Sequence, residues 1–184
     1  MGALMALKES CRICCLMTNF DHLFTPWRYS YLSGEKKKPE VDCIFCAKIG
    51  ADDAAEHIVY RSAHVYVTLN LYPYNNGHLM IIPYAHVAST ENMAADALTD
   101  LMLTTNAAIA ALRRVYNPQA FNVGANLGEA AGAGVAGHFH LHVVPRWAGD
   151  TNFMSVVGST RVIPDELDQT WRKLREAWQS PNGG

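Results

Sequence analysis

His138-Phe139-His140-Leu141-His142-Val143-Val144 is the stretch on which the reading of this chain turns. An extended strand points successive side chains to opposite faces. The three histidines would therefore form a row spaced ~6.6 Å per step, while Phe139, Leu141 and Val143 face the other way. One face is then chemical and the other is core. The alternative is three merely structural histidines, but every buried ring nitrogen needs a partner, and three adjacent rings are hard to satisfy inside an apolar core. Immediately upstream, Asn126-Leu127-Gly128-Glu129-Ala130-Ala131-Gly132-Ala133-Gly134 is rich in small residues whose backbone N–H groups can approach an anion closely. Alone, such a Gly-rich turn is a weak signal. Beside a histidine row it suggests phosphate oxygens held next to an imidazole nucleophile.

Working outward, residues 57–61, 64–71 and 78–82 read as strands, the last two separated by Asn75-Asn76-Gly77, whose Asn-Gly pair readily supplies the positive φ of a tight hairpin turn. Residues 90–116 carry Leu98, Leu101, Met102 and Ile109 at helical spacing and stop before Asn117-Pro118, so one long helix is expected there. Residues 121–127 and 138–145 read as strands flanking the Gly-rich loop, and 163–178 as a closing helix entered through Pro164-Asp165-Glu166. Strands in runs, broken by one long helix and ended by another, predict an α+β fold with a mostly antiparallel sheet. Residues 1–40 read as an N-terminal arm and linker, and 41–180 as the folded domain.

The bulk properties narrow the function. A chain of 184 residues suffices for one ordinary domain, and 49% hydrophobic against 17% charged residues argues against disorder over most of the length. A net charge of -2, with Lys36-Lys37-Lys38 as the only basic run, gives no electrostatic footprint for nucleic acid or an anionic membrane. No apolar run approaches the ~20 residues of a membrane span. The mildly apolar residues 1–17 are broken by Lys8, Glu9 and Arg12 and do not read as a signal peptide. The five cysteines, Cys11, Cys14, Cys15, Cys43 and Cys46, are odd in number and confined to the first quarter, which suits a reducing cytoplasm better than a secreted disulfide framework. A soluble, cytoplasmic protein is expected.

Taken together, the motifs resemble the histidine-triad (HIT) family. His138 to Val144 matches its His-φ-His-φ-His-φ-φ signature, where φ is apolar. Leu69-Asn70-Leu71-Tyr72-Pro73-Tyr74-Asn75-Asn76-Gly77-His78-Leu79-Met80-Ile81-Ile82-Pro83 resembles the family's paired nucleotide-binding strands. With Phe121-Asn122-Val123-Gly124-Ala125-Asn126, Val143-Val144-Pro145-Arg146-Trp147 and Asp150-Thr151-Asn152-Phe153, the likeness is greatest to the branch containing bacterial diadenosine tetraphosphate phosphorylases. The resemblance implies a five-stranded antiparallel sheet with two main helices, a homodimer, and cleavage of a dinucleoside polyphosphate, or alternatively a nucleoside phosphoramidate, with water or inorganic phosphate as acceptor. It implies His140 as the nucleophile and His142 as its helper in the catalytic row with His138. Asn70 would meet the ribose, Leu71 the base, and Asn126, Gly132 and Gly134 the phosphate side. For Asn70 and Asn126, an amide bonding its own backbone is the competing reading. Ala133-Gly134-Val135 stands where many relatives carry a polar Gln-Ser or Gly-Ser, so side-chain contacts to the phosphates are missing and backbone donors must serve.

Cys43-Ile44-Phe45-Cys46 reads as a metal or redox pair, and tetrahedral zinc needs two ligands more. The resemblance to zinc-bearing HIT proteins implies Cys43, Cys46, His86 and His138 around a structural zinc ion. His57 and His64 are rival ligands, and Cys11-Arg12-Ile13-Cys14 a rival knuckle. Buried metal-free thiols are a further alternative, and a thiol redox function lacks a thioredoxin-like βαβ setting. His78 is expected to support the row by hydrogen bonding. Outside enzymes, the remaining reading is a nucleotide-binding module that has lost turnover.

Overall fold

A computed structural model describes residues 43–150 and 165–179, all within the compact unit Lys36–Gly184. The expected N-terminal arm, the Cys11–Cys14 pair and Thr151-Asn152-Phe153 lie outside the described residues. In chain order the elements are α1 (Ile44–Ala47), β1 (Ile58–Arg61), β2 (Val65–Leu69), β3 (Leu79–Pro83), α2 (Ala95–Tyr116), β4 (Ala120–Gly124), β5 (Leu141–Arg146) and α3 (Leu167–Gln179). The strands form one five-stranded sheet in the order β1-β2-β3-β5-β4, with every neighbouring pair antiparallel. This is the α+β architecture expected from the sequence.

β2 and β3 are buried along their whole length. That is why Val65-Tyr66-Val67-Thr68-Leu69 and Leu79-Met80-Ile81-Ile82 read as near-continuous apolar runs: both faces of the sheet are covered. On one face, Val67, Leu79, Ile81 and Val143 pack under Leu101, Ala108 and Leu112 of α2 and Leu174 of α3. On the other, Tyr66, Met80 and Ile82 pack with Ile58 and with Cys43 and Phe45 beside α1. The second face carries the chemistry. α3 is held to β1 by Trp171, whose indole Nε1–H donates to the Ile58 carbonyl at 2.9 Å, and by Arg175, which donates to the same carbonyl at 3.1 Å and to Asp53 ahead of the strand at 3.0 Å.

Several boundaries differ from expectation, β4 ending at Gly124, β5 beginning at Leu141 and the last helix at Leu167; two more have a local reason. The long helix begins at Ala95 rather than at residue 90, because Thr90–Asn92 form a separate 3-10 turn and the backbone at Met93 is extended. Met93 thereby packs against the core. The far end falls as expected: Asn117 takes the left-handed conformation (φ 44°), donates its N–H to the Arg113 carbonyl at 3.0 Å, and Pro118 follows. The β2–β3 connection runs from Asn70 to His78, so it is a longer loop than a tight hairpin. Gly77 does take a positive φ, 71°, and a Cβ there would lie 2.7 Å from Leu112 Cδ2 in the core. Only glycine suits both the angle and the gap.

Gly77→Ala is therefore expected to cost about 1–3 kcal/mol in urea unfolding, because strain and overpacking act together. Gly50→Ala, with nothing within 4 Å of its added Cβ, serves as the near-neutral control. Equal unfolding midpoints for the two variants would contradict this assignment.

Candidate active site and metal centre

The β3–β5 ladder pairs Leu141 with Ile81 and Met80 with His142, so among the triad histidines only His142 lies within the paired strand. His138 and His140 sit just before it. The expected alternation nevertheless holds, since Phe139 and Val143 enter the core beneath the helices while the rings occupy the opposite face. The Phe139 N–H anchors this run by donating to the Val87 carbonyl at 2.6 Å. His138 and His140 are buried and His142 is half-buried.

Hydrogen-bond partners that can only donate or only accept fix where the protons sit. His140 places Nδ1 2.9 Å from the His138 backbone carbonyl, which only accepts. The proton is therefore on Nδ1, and Nε2 keeps its lone pair. His78 has Nδ1 3.0 Å from the Tyr74 backbone N–H, which only donates. His78 is thus an acceptor at Nδ1 and carries its proton on Nε2, which lies 2.9 Å from His142 Nδ1. His142 must accept there, leaving its own proton on Nε2. Two successive members of the row are held in opposite tautomers: one presents a lone pair, the other a proton.

Burial lowers the pKa of all three triad imidazoles. For His138 and His140 the bonds to backbone carbonyls oppose the shift without reversing it, and His142 is brought down to about 4 by burial and then by the neighbouring His140. A neutral His142 is thus maintained well below the pH at which a free imidazole protonates.

Beside the row, the donor atoms of Cys43, Cys46, His86 and His138 all lie within 4.8 Å of one another. His138 Nδ1 is 3.3 Å from Cys43 Sγ and 3.5 Å from Cys46 Sγ, and His86 Nδ1 is 3.2 Å from Cys46 Sγ. Zinc bonds of about 2.3 Å to sulfur and 2.0–2.1 Å to nitrogen put the edges of a tetrahedron at roughly 3.3–3.8 Å, so these spacings suit a four-coordinate ion. The tautomer suits it too. His138 Nε2 lies 2.9 Å from the Pro83 carbonyl and so carries the proton, which turns the Nδ1 lone pair toward the thiols. Burial, then hydrogen bonding and repulsion from Cys43, push the Cys46 thiol up; a divalent cation would reverse this by stabilising both thiolates.

The rival ligands lie elsewhere. His57 Nε2 is 2.8 Å from Asp168, and His64 Nε2 is 3.5 Å from Asp96.

Asn70 and Leu71 follow β2, and Asn70 lies beside His78. Asn70 Oδ1 accepts the Tyr72 N–H at 3.0 Å, and its Nδ2 lies 3.4 Å from His78 Nδ1, so this amide braces both the loop and the fourth histidine. Leu71 is exposed. Asn126 Nδ2 lies 3.5 Å from the Gly132 carbonyl. In the Gly-rich loop, the N–H groups of Ala131, Gly132 and Ala133 donate to the carbonyls of Gly128 and Glu129. Gly132, at φ 88°, forms the turn. Sequence reasoning missed Phe45, whose ring lies 5.0 Å from that of His140, and Tyr74, whose ring lies 4.7 Å from that of His78. Both are apolar neighbours of motif residues, and nothing in their spacing singles them out.

The comparisons with known proteins bear on the same surface. A family model described as the HIT domain matches residues 52–149. The chain is 41% identical over 164 residues to the AP-4-A phosphorylase of Mycobacterium tuberculosis, covering 86% of this chain and 84% of that one. Among solved structures it is similar to a Zn-bound histidine triad family protein from Mycobacterium smegmatis, with a TM-score of 0.62, 26% identity, and coverage of 77% of this chain and 96% of that one. It is also similar to a HIT family protein from Bacillus subtilis, with a TM-score of 0.54, 28% identity, and coverage of 70% and 86%. The row of histidines, the sheet that carries it and these matches agree, and the chain belongs to the HIT family.

Proposed function

We propose that this protein cleaves dinucleoside polyphosphates, diadenosine tetraphosphate first among them, through a nucleotidyl-His140 intermediate. The observation that carries the reading is the tautomer of His140, whose Nδ1–H is engaged by the His138 carbonyl so that the Nε2 lone pair is the nucleophile. Nε2 attacks the α-phosphorus, the N–P bond forms, and the bond to the leaving polyphosphate oxygen breaks. The Nε2–H of His142 donates a hydrogen bond to that departing oxygen as its charge grows. Asn70 and Leu71 flank the nucleoside, and Asn126 with the Gly-rich loop around Gly132 and Gly134 and the row itself face the phosphates. An acceptor oxygen then attacks the phosphorus from solvent, the N–P bond breaks and His140 is regenerated. Inorganic phosphate as acceptor gives ADP beside the ATP released first, and water gives AMP. The 41% identity to an AP-4-A phosphorylase supports phosphate.

The Cys43-Cys46-His86-His138 cluster would hold zinc, as the four donors suit a closed structural site, and the ion would tie the α1 turn to the sheet. A reducing cytoplasm suits its free thiols. No helix among the described residues is long and apolar enough to cross a membrane. A homodimer would join at the β4 edge, where Val123 is exposed, and along the flank of α2 that exposes Met102 and Leu103.

Two measurements test these assignments. With diadenosine tetraphosphate, the protein is expected to form ADP and ATP only when phosphate is present and to be labelled at one histidine; His140→Ala should lose the label and about 10³-fold or more in kcat/KM. AMP and ATP without phosphate would make it a hydrolase. Absence of product and label in wild-type protein would leave a phosphoramidate substrate or a non-catalytic binding module. Separately, metal analysis should find one zinc per chain, lost in Cys46→Ser. Its removal by chelation should lower the thermal midpoint by on the order of 10 °C, given ~4 kcal/mol of binding linkage. A metal-free protein with an unchanged midpoint would count against the site.

A further inference from the structure

We propose that Phe45 is a positioning residue for His140, and that closure of the Cys43–Cys46 turn around its metal keeps it in place; the inference rests on His140 being the nucleophile. Phe45 lies between the two cysteines. Its buried ring is 5.0 Å from the His140 ring at an interplanar angle of 49°, and 5.6 Å from the His138 ring at 79°. The nucleophile is thus restrained from two directions. A backbone carbonyl fixes its Nδ1 from below, and an aromatic face limits rotation of the ring from the side.

Both restraints trace to the same cluster. The carbonyl belongs to His138, whose ring Nδ1 is one of the four grouped donors, and the aromatic ring sits between two others, Cys43 and Cys46. α1 itself is a four-residue turn with no side-chain cap. A turn that short does not hold its shape alone, because the cost of nucleating a helix exceeds what one turn returns. Its fixed points within the fold include the two thiols, the Phe45 carbonyl, which accepts the hydroxyl of fully buried Tyr66 at 2.8 Å, and the carbonyls of Lys48 and Ile49 just past its end, which accept from Arg61 at 3.1 and 2.8 Å. With the thiols released, the anchors that remain are at the Phe45 carbonyl and beyond it in the chain, so the cysteine side of the turn opens and the ring beside His140 loses that restraint. Since a displacement of about 1 Å at a reacting group can cost on the order of a hundredfold in rate, the turn's closure bears directly on the chemistry.

The test is Phe45→Leu in the metal-loaded full-length protein, alongside Cys46→Ser, which leaves the ring in sequence but opens the turn. Three quantities are read: zinc per chain, the single-turnover rate constant for labelling His140 at saturating diadenosine tetraphosphate, and the imidazole Nδ1–H proton resonance of His140. Phe45→Leu is expected to keep its zinc and half-saturate within about twofold of wild type, while labelling about ten- to a hundredfold more slowly, with a broadened or shifted Nδ1–H line. Cys46→Ser should show the same two changes with its zinc lost. An unchanged rate constant and resonance in Phe45→Leu would overturn the proposal, as would an effect confined to half-saturation, which would make Phe45 a substrate contact instead. Should wild-type protein fail to label, the enzymatic reading falls, and the resonance in the two variants still decides the coupling. If Phe45→Leu does not fold, an unperturbed His140 resonance in Cys46→Ser suffices to reject it.

Discussion

The hydrogen bond from His140 Nδ1–H to the His138 carbonyl, 2.9 Å long, sets what the surrounding structure has to accomplish. It spans two residues of an extended run, so it needs the backbone at His138 to be held rigidly. That rigidity comes from both sides of the same residue. The His138 ring donates to Pro83 at the end of β3, and the next residue, Phe139, bonds to Val87 and plugs the core under α2. Without this bracing the imidazole could carry its proton on either nitrogen, and the Nε2 lone pair would be present only part of the time.

The neighbouring histidine is oriented by a different route. His142 takes its tautomer from His78, and His78 takes its own from the Tyr74 backbone N–H. Imidazoles and main-chain groups thus do the orienting that a carboxylate does in a serine-protease triad. The consequence is electrostatic. With burial acting on neutral rings and no anion in these particular bonds, the triad pKa values fall instead of rising, and His142 remains uncharged down to about pH 4. On the proposed reading, a polyphosphate at the row would meet oriented donors and a lone pair rather than charged imidazoles.

Much of this was legible in the sequence because strand periodicity is a local property. The alternation of His138, His140 and His142 with Phe139 and Val143 follows from backbone geometry alone, and so does the two-sided burial of β2 and β3. What needed the fold was long-range. The ladder begins at Leu141 because β3 pairs only from that residue, which nothing between 138 and 140 announces. His86 could be chosen over His57 and His64 only through the resemblance, since the thiols lie about forty residues away in sequence. Residues 126–134 read as an anion-binding loop, and only the fold shows that the N–H groups of residues 131–133 donate within it. Phe45 was invisible because an apolar residue between two ligands looks like filler until its ring is seen against His140.

His140 and His142, neighbours in one row, are locked in opposite tautomers, and long-range ¹H–¹⁵N correlation spectra of the histidine rings measure this directly. The account predicts a protonated Nδ1 and a bare Nε2 for His140, with the reverse for His142, unchanged through neutral pH. A His140 protonated at Nε2, or a rapidly averaging pair of tautomers at either residue, would contradict it.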